Sequence, residues 1–371
     1  MTITELRIDG IRNLRDINMY PMAGTNIIYG DNAQGKTNLL EAIFIMSGQK
    51  SFRGARDKEL LGFGRQSGKI ELRYCDSVRS QTISLELGKT PKDKRLFKNG
   101  VPLKSASELI GSLYTVVFTP EDLQLTRGSP EVRRSFLDRT ISLIHPMYSR
   151  ILAKYDKILE QRNAALKVMD KKSLNEGQLD IWDEQLSRMG AYMSVFRAVS
   201  VSKLQEAAGS MYKRLSGEKE ELKISYYSTV FDKIPSELEV KDGKLMALDY
   251  HKRLLSSRKE DLRLGYTQLG VHRDDLIIEL DGLSVKDYGS QGQNRSCALC
   301  LKLAEAELIK KEKKEFPVIL LDDVMSELDS DRRFFVKRAI EGAQIFITCC
   351  DEPKAKRGCH LMSGGRLKRD F

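Results

Sequence analysis

The chain has 371 residues, of which 41% are hydrophobic and 31% charged, a balance typical of a globular protein with two or three domains. No apolar run is long enough to cross a bilayer, which excludes an integral membrane protein, and the first residues lack the pattern of a signal peptide. The six cysteines follow no disulfide framework, so we expect a reducing, cytoplasmic compartment. A net charge of +10 favours a polyanionic partner such as nucleic acid, although solvated faces with interleaved acids are an equal alternative.

The first predicted elements are two strands of a hairpin, at 3–8 and 17–20, followed by a short buried strand at 26–29. That strand leads into residues 30–37, which fit G-x-x-x-x-G-K-[ST], the phosphate-cradling P-loop. A helix with apolar residues at core-facing spacing leaves the loop over 37–46. Because strand, loop and helix follow one another in the required order, the segment predicts a nucleoside triphosphate site.

Different residues of this loop are expected to bind the phosphates of ATP and its metal ion. Glycines permit a backbone path that points successive N–H groups at phosphate oxygens, and the start of the helix adds to the positive field. We expect Lys36 to bridge the β- and γ-phosphates and act in catalysis, and the Thr37 hydroxyl to coordinate Mg²⁺. The predicted nucleotide contacts are Gly30, Asp31, Asn32, Ala33, Gln34, Gly35, Lys36 and Thr37.

Strand patterns continue through the first third of the chain. Alternating apolar residues predict half-buried strands within 69–87, the Asn-Gly pair at 99–100 predicts a hairpin turn, and 114–118 is an apolar strand. The arginines of the basic turn at 50–56 are candidates for contacting nucleotide phosphates or DNA, and a solvated loop is an equally good interpretation.

From Pro130 to about residue 215 the pattern is helical only. Pro146 is placed to start one helix, residues 171–177 to break it, and a second long helix carries an apolar stripe typical of helix-hairpin packing. The stripe consists of Trp182, Leu186, Met189, Met193, Phe196, Ala207 and Met211. An isolated strand, a helix and another strand are predicted after it, at 222–226, 244–262 and 275–280.

The last third of the chain returns to nucleotide chemistry. An apolar run at 316–321 predicts a central parallel strand buried on both faces, and it ends in Asp322 and Asp323. Acids at the carboxyl end of such a strand lie beside a P-loop, so we expect Asp322 to hold the Mg²⁺ shell and Asp323 to orient and deprotonate the attacking water. As an isolated pair, the two acids would more often cap a helix.

A second anion site is indicated by small and hydroxylated residues at 288–296, directly before a long predicted helix at 297–314. Two other patterns imitate known motifs. The kinase-like triplet at 272–274 lacks the metal-binding Asn and the Gly-rich loop of a kinase. Cys297 and Cys300 have the spacing of zinc ligands, but they fall one turn apart on a predicted helix, where small core residues are expected.

The order of these motifs resembles the RecF family, relatives of the SMC proteins among the ABC-type ATPases. The resemblance covers nearly the whole chain, and its motifs lie at 30–43, 119–138, 270–276, 289–295 and 320–329. The second and third are the most family-specific. The resemblance implies an α/β, ABC-type P-loop ATPase head. Lobe I would comprise 1–120 and 266–371, and a mainly helical lobe II, 121–265, would be inserted between the nucleotide motifs.

The resemblance also implies how the site is completed. Two subunits are expected to close head-to-tail on ATP, so that Ser290, Gly292 and Gln293 of one meet the γ-phosphate held by Lys36 of the other. Residues 326–329 resemble the D-loop of the same interface. The ATP-dependent homodimer would clamp double-stranded DNA, including single-/double-strand junctions near gaps, and hydrolysis would release it. Together with RecR and RecO it would promote loading of RecA, without a membrane partner.

The chain departs from the ABC pattern at three places. Asp323 stands where transporters carry Glu, which suggests slow hydrolysis suited to a timed switch. Thr348 and Cys349 replace the switch His, and Thr119 and Pro120 replace the usual Gln. The residues that sense the γ-phosphate at these positions are therefore left open.

Two other functions and a candidate DNA-contacting surface are compatible with the same sequence. An ATPase subunit of a transporter and a small-molecule P-loop kinase both fit the P-loop, although the block at 119–138 argues against the transporter. For DNA, the candidate phosphate contacts are Arg133, Arg134, Arg139 and the basic residues within 252–263. Salt bridges to neighbouring acids are an equal alternative for these side chains.

Overall fold

The structure, a computed structural model, describes residues 1–168, 177, 179–235, 238–239, 242–353 and 357–369. The chain forms two compact units, unit 1 from residues 1–122 and 301–371 and unit 2 from residues 123–300. Apart from residue 177, the predicted helix break at 171–177 lies outside the described residues.

The described strands are, in chain order, β1 (Thr2–Asp9), β2 (Ile17–Met19), β3 (Thr25–Tyr29), β4 (Ser67–Cys75), β5 (Ser80–Gly88), β6 (Arg95–Lys98), β7 (Val101–Leu103), β8 (Thr115–Phe118), β9 (Leu222–Tyr227), β10 (Asp275–Leu280), β11 (Leu283–Ser284), β12 (Val318–Leu321), β13 (Ile345–Cys349), β14 (Cys359–Ser363) and β15 (Arg366–Arg369). The described helices are α1 (Lys36–Ile45), α2 (Asp57–Leu60), α3 (Gln124–Arg127), α4 (Pro130–Ile144), α5 (Pro146–Val168), α6 (Asp180–Leu215), α7 (Gly243–Leu264), α8 (Val285–Tyr288), α9 (Gln291–Lys313), α10 (Val324–Glu327) and α11 (Ser330–Ala339).

One sheet of unit 1 is antiparallel, with the strand order β2-β1-β4-β5-β6-β7. It confirms the predicted hairpin, since Leu6 of β1 pairs with Met19 of β2. The turn between β6 and β7 is also confirmed: Asn99 has φ 52° and Gly100 has φ 78°, and two positive φ values are what a type I′ hairpin turn requires.

The second sheet of unit 1 has the order β15-β14-β3-β13-β12-β8 and is parallel except for the β14–β15 pair. Strands β8 and β12 are buried at every residue, which explains the unbroken apolar run of β12 and the three apolar residues that follow Thr115 in β8. The P-loop follows β3, and Asp322 follows β12. Because the carboxyl ends of parallel strands meet at one edge of a sheet, these segments lie together.

Helix α1 and both sheets of unit 1 share one hydrophobic core. Leu39, Leu40 and Ile43 of α1 have no solvent exposure and pack with residues such as Leu72 and Phe346 of the sheets. Burying each such side chain stabilises the fold by about 1.5–3 kcal/mol. The start of α1, and with it the P-loop, is therefore held by the core.

Unit 2 is mainly helical, with α4, α5, α6 and α7 beside a sheet of order β11-β10-β9. Pro146 is the first residue of α5, as predicted, and burial of Leu186, Met193 and Phe196 confirms the apolar stripe of α6. Among the described helices, none combines the length and the apolar character needed to span a membrane.

One sequence-based expectation for this region differs from the structure. The strand predicted at 222–226 is not isolated, because β9 pairs with β10 from Leu222 opposite Leu280 to Tyr227 opposite Asp275. The partner strand is about fifty residues further along the chain, where local sequence patterns give no pairing signal. Unit 2 includes residues 266–300 and so contains both strands of this pair. The division into lobes at 1–120, 121–265 and 266–371 stays a prediction.

The two most family-specific blocks interlock within unit 2. Arg133 forms a two-bond pair with Asp275, with nitrogen–oxygen distances of 2.7 Å, and Arg134 donates to the Asp274 carbonyl at 2.8 Å. The Asp274 carboxylate is buried and accepts hydrogen bonds from the Thr229 N–H and hydroxyl. The triplet that imitates a kinase loop therefore contributes to a structural polar network.

A second buried network centres on Arg162, which has no solvent exposure. It donates to Asp183 at 2.6 Å, Asp261 at 2.8 Å and Thr267 at 2.7 Å. Removing one partner of such a network leaves charge buried without compensation.

We expect Arg162→Met to lower the free energy of unfolding of unit 2 by about 3–5 kcal/mol, because Asp261 and Asp183 lose a buried partner. The control is Arg263→Ala. Its pair with Glu260 is about half exposed and is expected to contribute at most about 1 kcal/mol. Urea unfolding followed by the fluorescence of Trp182, the single tryptophan, reports on unit 2. Equal losses in both variants would contradict the assignment.

His272 predicts a pH dependence of stability. Its Nδ1 lies 2.8 Å from the Tyr155 hydroxyl and its Nε2 lies 3.1 Å from the Thr267 carbonyl, and burial lowers its pKa to about 4. Between pH 6.5 and 4 the unfolded chain binds a proton at His272 that the folded chain does not. The stability that the buried neutral imidazole contributes is therefore lost as pH falls. The stability difference between wild type and His272→Gln should shrink by about 2 kcal/mol from pH 7 to pH 5. A difference independent of pH would contradict it.

Candidate functional site

The P-loop, residues 30–37, adopts backbone angles that favour glycine. Gly30 has φ 140° and Gly35 has φ 113°. A Cβ on Gly30 would lie 2.4 Å from the Met362 carbonyl oxygen, and a Cβ on Gly35 would lie 2.7 Å from Asn13 Oδ1. Both positions therefore favour glycine for conformation, and Gly30 also favours it for space, because its Cβ would meet a main-chain atom.

Lys36 lies inside the curve of the loop. It is buried, and its Nζ donates to the carbonyl oxygens of Gly30 at 2.7 Å and Asp31 at 3.0 Å. Asp31, Asn32 and Ala33 are exposed at the loop's tip, and the Ala33 carbonyl accepts a hydrogen bond from Asn13 Nδ2 at 3.2 Å. The ammonium group is thus already directed at the concave side of the loop.

The turn between β14 and β15 supports the P-loop from outside. The Gly364 N–H donates to Gln34 Oε1 at 2.6 Å, and the Gly365 N–H donates to the Gln34 carbonyl at 3.1 Å. Gln34, predicted to contact nucleotide, directs its side chain at this turn. A nucleotide contact by Gln34 would therefore come from its main chain.

Two hydroxyl groups converge on Asp322 at the end of β12. The hydroxyls of Thr37 and Thr348 both donate to Asp322 Oδ1 at 2.9 Å, whereas Oδ2 takes part in neither contact. Burial raises the pKa of Asp322 above its ordinary value, and the two hydroxyl donors partly offset this effect. The structure thus brings together a P-loop hydroxyl and a carboxylate from different ends of the chain.

These oxygens fit the Mg²⁺ ion that the sequence implies. Hydroxyl and carboxylate oxygens are the hard ligands that Mg²⁺ prefers, and a cation would offset the cost of burying the Asp322 charge. Thr37 and Asp322 are the residues that would hold it. The glycine curvature at Gly30 and Gly35, where Cβ atoms would collide, fits the close approach of a phosphate chain.

Asp323 has a left-handed backbone conformation, with φ 52° and ψ 7°. Its N–H donates to the Thr348 hydroxyl at 2.9 Å, and its carbonyl accepts from Ser326 Oγ at 2.6 Å. This conformation costs a non-glycine residue about 1 kcal/mol or more. Strain of this kind persists only where neighbouring contacts maintain it.

The segment that replaces the switch His contacts the site through Thr348, which the sequence indicated, and through Cys350, which it did not. Cys349 Sγ bonds to the Asp351 carbonyl at 3.3 Å, whereas Cys350 Sγ lies 3.1 Å from Asn32 Oδ1 and 3.8 Å from Lys36 Nζ. Sequence reasoning missed Cys350. One signal could have indicated the contact between Thr348 and Asp322: a hydroxyl-bearing residue at the end of a strand next to β12.

Sequence reasoning also missed Glu41 of α1. It is 1% exposed, accepts two hydrogen bonds of 3.1 Å from Arg12 and another from the Ser51 hydroxyl, while Arg53 donates to Asn38 at 2.9 Å. The basic turn at 50–56 is therefore attached to the P-loop helix.

The other segments near the acids are held locally. The Thr119 N–H donates to Asp122 Oδ2 at 2.7 Å, where a 3₁₀ turn begins. In the D-loop, Leu328 is buried and Asp329 accepts from the Arg332 N–H at 2.9 Å as the N-cap of α11.

The signature segment, residues 289–295, belongs to unit 2 and starts α9 earlier than predicted. The Ser290 N–H donates to Gln293 Oε1 at 2.7 Å, and the Gln293 N–H donates to Ser290 Oγ at 3.2 Å. This reciprocal capping box begins the helix at Gln291 instead of residue 297, so Gly292 and Gln293 lie in its first turn. Ser290 is exposed at the helix N-terminus, whose partial charge is positive.

Several of the basic side chains proposed for DNA contact have acidic or carbonyl partners. Arg133 is 6% exposed and paired with Asp275, so the salt-bridge alternative describes this residue. On α7, Arg253 pairs with Asp232 and Arg258 pairs with Asp183. The sequence could not separate these arginines from phosphate-binding ones because their acidic partners are distant along the chain.

The cysteines with zinc-like spacing are core residues of α9. Cys297 and Cys300 have no solvent exposure, and burial raises the pKa of Cys297 to about 12. The buried thiols therefore pack as small apolar groups of the core.

The geometry defines the class of the protein first. A glycine-rich loop between a parallel strand and a helix, with its threonine hydroxyl 2.9 Å from the acid that ends a nearby strand, is the arrangement of a P-loop nucleotidase.

Comparison with known proteins defines the family. The family described as RecF/RecN/SMC N terminal domain matches residues 2–364. The "DNA replication and repair protein RecF" of Alkaliphilus oremlandii is 39% identical over 348 residues, 94% of this chain and 93% of that protein. Its counterpart in Halothermothrix orenii is 38% identical over 353 residues, 95% and 92% of the two chains. This chain belongs to the RecF family.

Solved structures confirm the predicted fold class, an α/β ABC-type ATPase head. The "Structure of the recombination mediator protein RecF-ATP in RecFOR pathway" matches with a TM-score of 0.91 and 35% identity, covering 100% of this chain and 98% of that one. An SMC head bound to the winged-helix domain of ScpA matches at a TM-score of 0.55 and 13% identity, which supports the fold alone.

Proposed function

We propose that this protein is an ATP-dependent DNA-binding protein of recombinational gap repair and replication restart. In this proposal, ATP closes a homodimer on double-stranded DNA, and slow hydrolysis releases it. The observation that carries the proposal is the convergence of Thr37 and Asp322 beside the P-loop. The ATP named for a solved relative, and the repair role in the names of the curated relatives, support it.

Within the nucleotide site, each side chain has a distinct role. Lys36 exchanges the carbonyls of Gly30 and Asp31 for the β- and γ-phosphate oxygens of ATP. Thr37 and Asp322 would hold Mg²⁺, which would supply positive charge against the phosphates. Asp323 orients the attacking water and accepts its proton. Its side chain is one methylene shorter than the Glu of transporters, which supports slow turnover.

A second copy completes the site. Ser290 is exposed at the start of α9, a helix of 23 residues, so its hydroxyl and the first N–H groups suit an anion. Ser290, Gly292 and Gln293 of one copy would contact the γ-phosphate bound by the other, beside the D-loop at 326–329. Dimerisation would then depend on ATP.

The proposed binding of DNA is supported by the net charge of the chain and by its family. A net charge of +10 suits the phosphate backbone of duplex DNA and of single-/double-strand junctions. Arg139 and exposed Lys259 remain candidate contacts, whereas the buried Arg133 does not. With RecR and RecO as partners, the clamp would promote RecA loading at gaps in the bacterial cytoplasm.

Replacing Lys36 tests the nucleotide site. Lys36→Ala should weaken ATP binding about 100-fold or more, because charge-assisted bonds to the phosphates are lost. Isothermal titration calorimetry measures this, and Lys58→Ala, at an exposed lysine of α2, is the control. Unchanged ATP affinity in Lys36→Ala would refute the assignment.

Replacing Asp323 tests the complete proposal. Asp323→Asn should keep ATP binding, slow hydrolysis about 100-fold or more, and prolong the dimer on duplex DNA, because the proton acceptor is lost. Sedimentation velocity with and without ATP, in the presence of a labelled duplex, measures mass and DNA binding together. Asp323→Asn protein that stays monomeric in ATP, or a duplex that sediments alone, would count against the proposal.

A further inference from the structure

The hydroxyl of Thr348 contacts both acids of the nucleotide site. It donates to Asp322 Oδ1 at 2.9 Å and accepts from the Asp323 N–H at 2.9 Å. A threonine hydroxyl has one proton to donate, so these two contacts fix its orientation. One side chain therefore links the carboxylate proposed to hold the metal with the backbone of the residue proposed to activate water.

The fold holds Thr348 itself in place. It lies in β13, in register with Ile28 of β3 on one side, and it is 1% exposed. Because β13 also pairs with β12, the strand directly before Asp322, the Thr348 hydroxyl meets the two acids without a flexible connection. A buried hydroxyl is costly without partners, and here both partners belong to the site.

Asp323 depends on this contact more than Asp322 does. Asp322 has a second hydroxyl donor in Thr37, whereas the left-handed conformation of Asp323, at φ 52°, has its N–H bonded to Thr348. Loss of the acceptor would leave that N–H without its partner and remove one restraint on the conformation. The direction of the Asp323 side chain would then be less well defined.

We propose that Thr348 is a positioning residue for both carboxylates, setting the direction of Asp322 toward the metal and of Asp323 toward the attacking water. This inference rests on the proposed ATPase function. It assigns to Thr348 a role other than sensing the γ-phosphate, because its hydroxyl is committed to the two acids.

The test compares hydroxyl-free and hydroxyl-bearing variants. Thr348→Val keeps the shape of the side chain, Thr348→Ala is a second hydroxyl-free variant, and Thr348→Ser restores the hydroxyl. For the hydroxyl-free variants we expect kcat for ATP and the Mn²⁺ affinity of the nucleotide complex each to fall about 10–100-fold. Affinity for ATP without divalent cation should stay within about threefold, because the contacts of Lys36 are unchanged. Thr348→Ser should resemble wild type in every measurement.

Mn²⁺ binding is followed by electron paramagnetic resonance, which requires no turnover, and thermal unfolding identifies any variant that has lost its fold. Wild-type Mn²⁺ affinity and kcat in a folded hydroxyl-free variant would overturn the inference. Equal losses in Thr348→Ser and Thr348→Val would also overturn it, since packing would then be the cause. If wild-type protein bound ATP without hydrolysing it, the proposed ATPase function would fail, while Mn²⁺ affinity would still decide the role of Thr348.

Discussion

The site depends on one oxygen of Asp322, which accepts hydrogen bonds from two hydroxyl groups. A buried carboxylate is stable only with hydrogen-bond or charge partners, and here Thr37 comes from the P-loop and Thr348 from β13. The contact therefore ties together segments more than three hundred residues apart. The parallel sheet makes this possible, because it brings the ends of β3, β13 and β12 to one edge.

Several polar residues of unit 2, including some in the family-specific blocks, form structural networks. Arg133, Arg134 and Asp274 connect the two blocks, and Arg162 joins three helices or loops through buried partners. Breaking such networks is costly, so they favour one arrangement of the helices. A unit with a defined arrangement can present the start of α9 and Ser290 in a fixed orientation, which a site completed by another copy would require.

The sequence predicted what local patterns encode. The P-loop, the buried strand before Asp322 and the Asn-Gly hairpin each have a short-range signal, and each has the predicted conformation. Pairing across long sequence separations had no such signal, which is why β9 was expected to be isolated. The roles of Thr348 and Cys350 also lacked a local signal, because they arise from contacts with a neighbouring strand and loop. The early start of α9 came from the Ser290–Gln293 capping box, a local signal that the small residues around it obscured.

The most direct measurement of the central claim, a nucleotide site shared by two copies, is complementation between two inactive variants. Lys36→Ala disables the P-loop side, and Ser290→Arg disables the capping side at an exposed position. A mixed dimer has one site with both defects and one site with neither. If subunits exchange freely, an equal mixture should recover about a quarter of wild-type ATP hydrolysis, while each variant alone has almost none. A mixture no more active than its components would contradict the shared site.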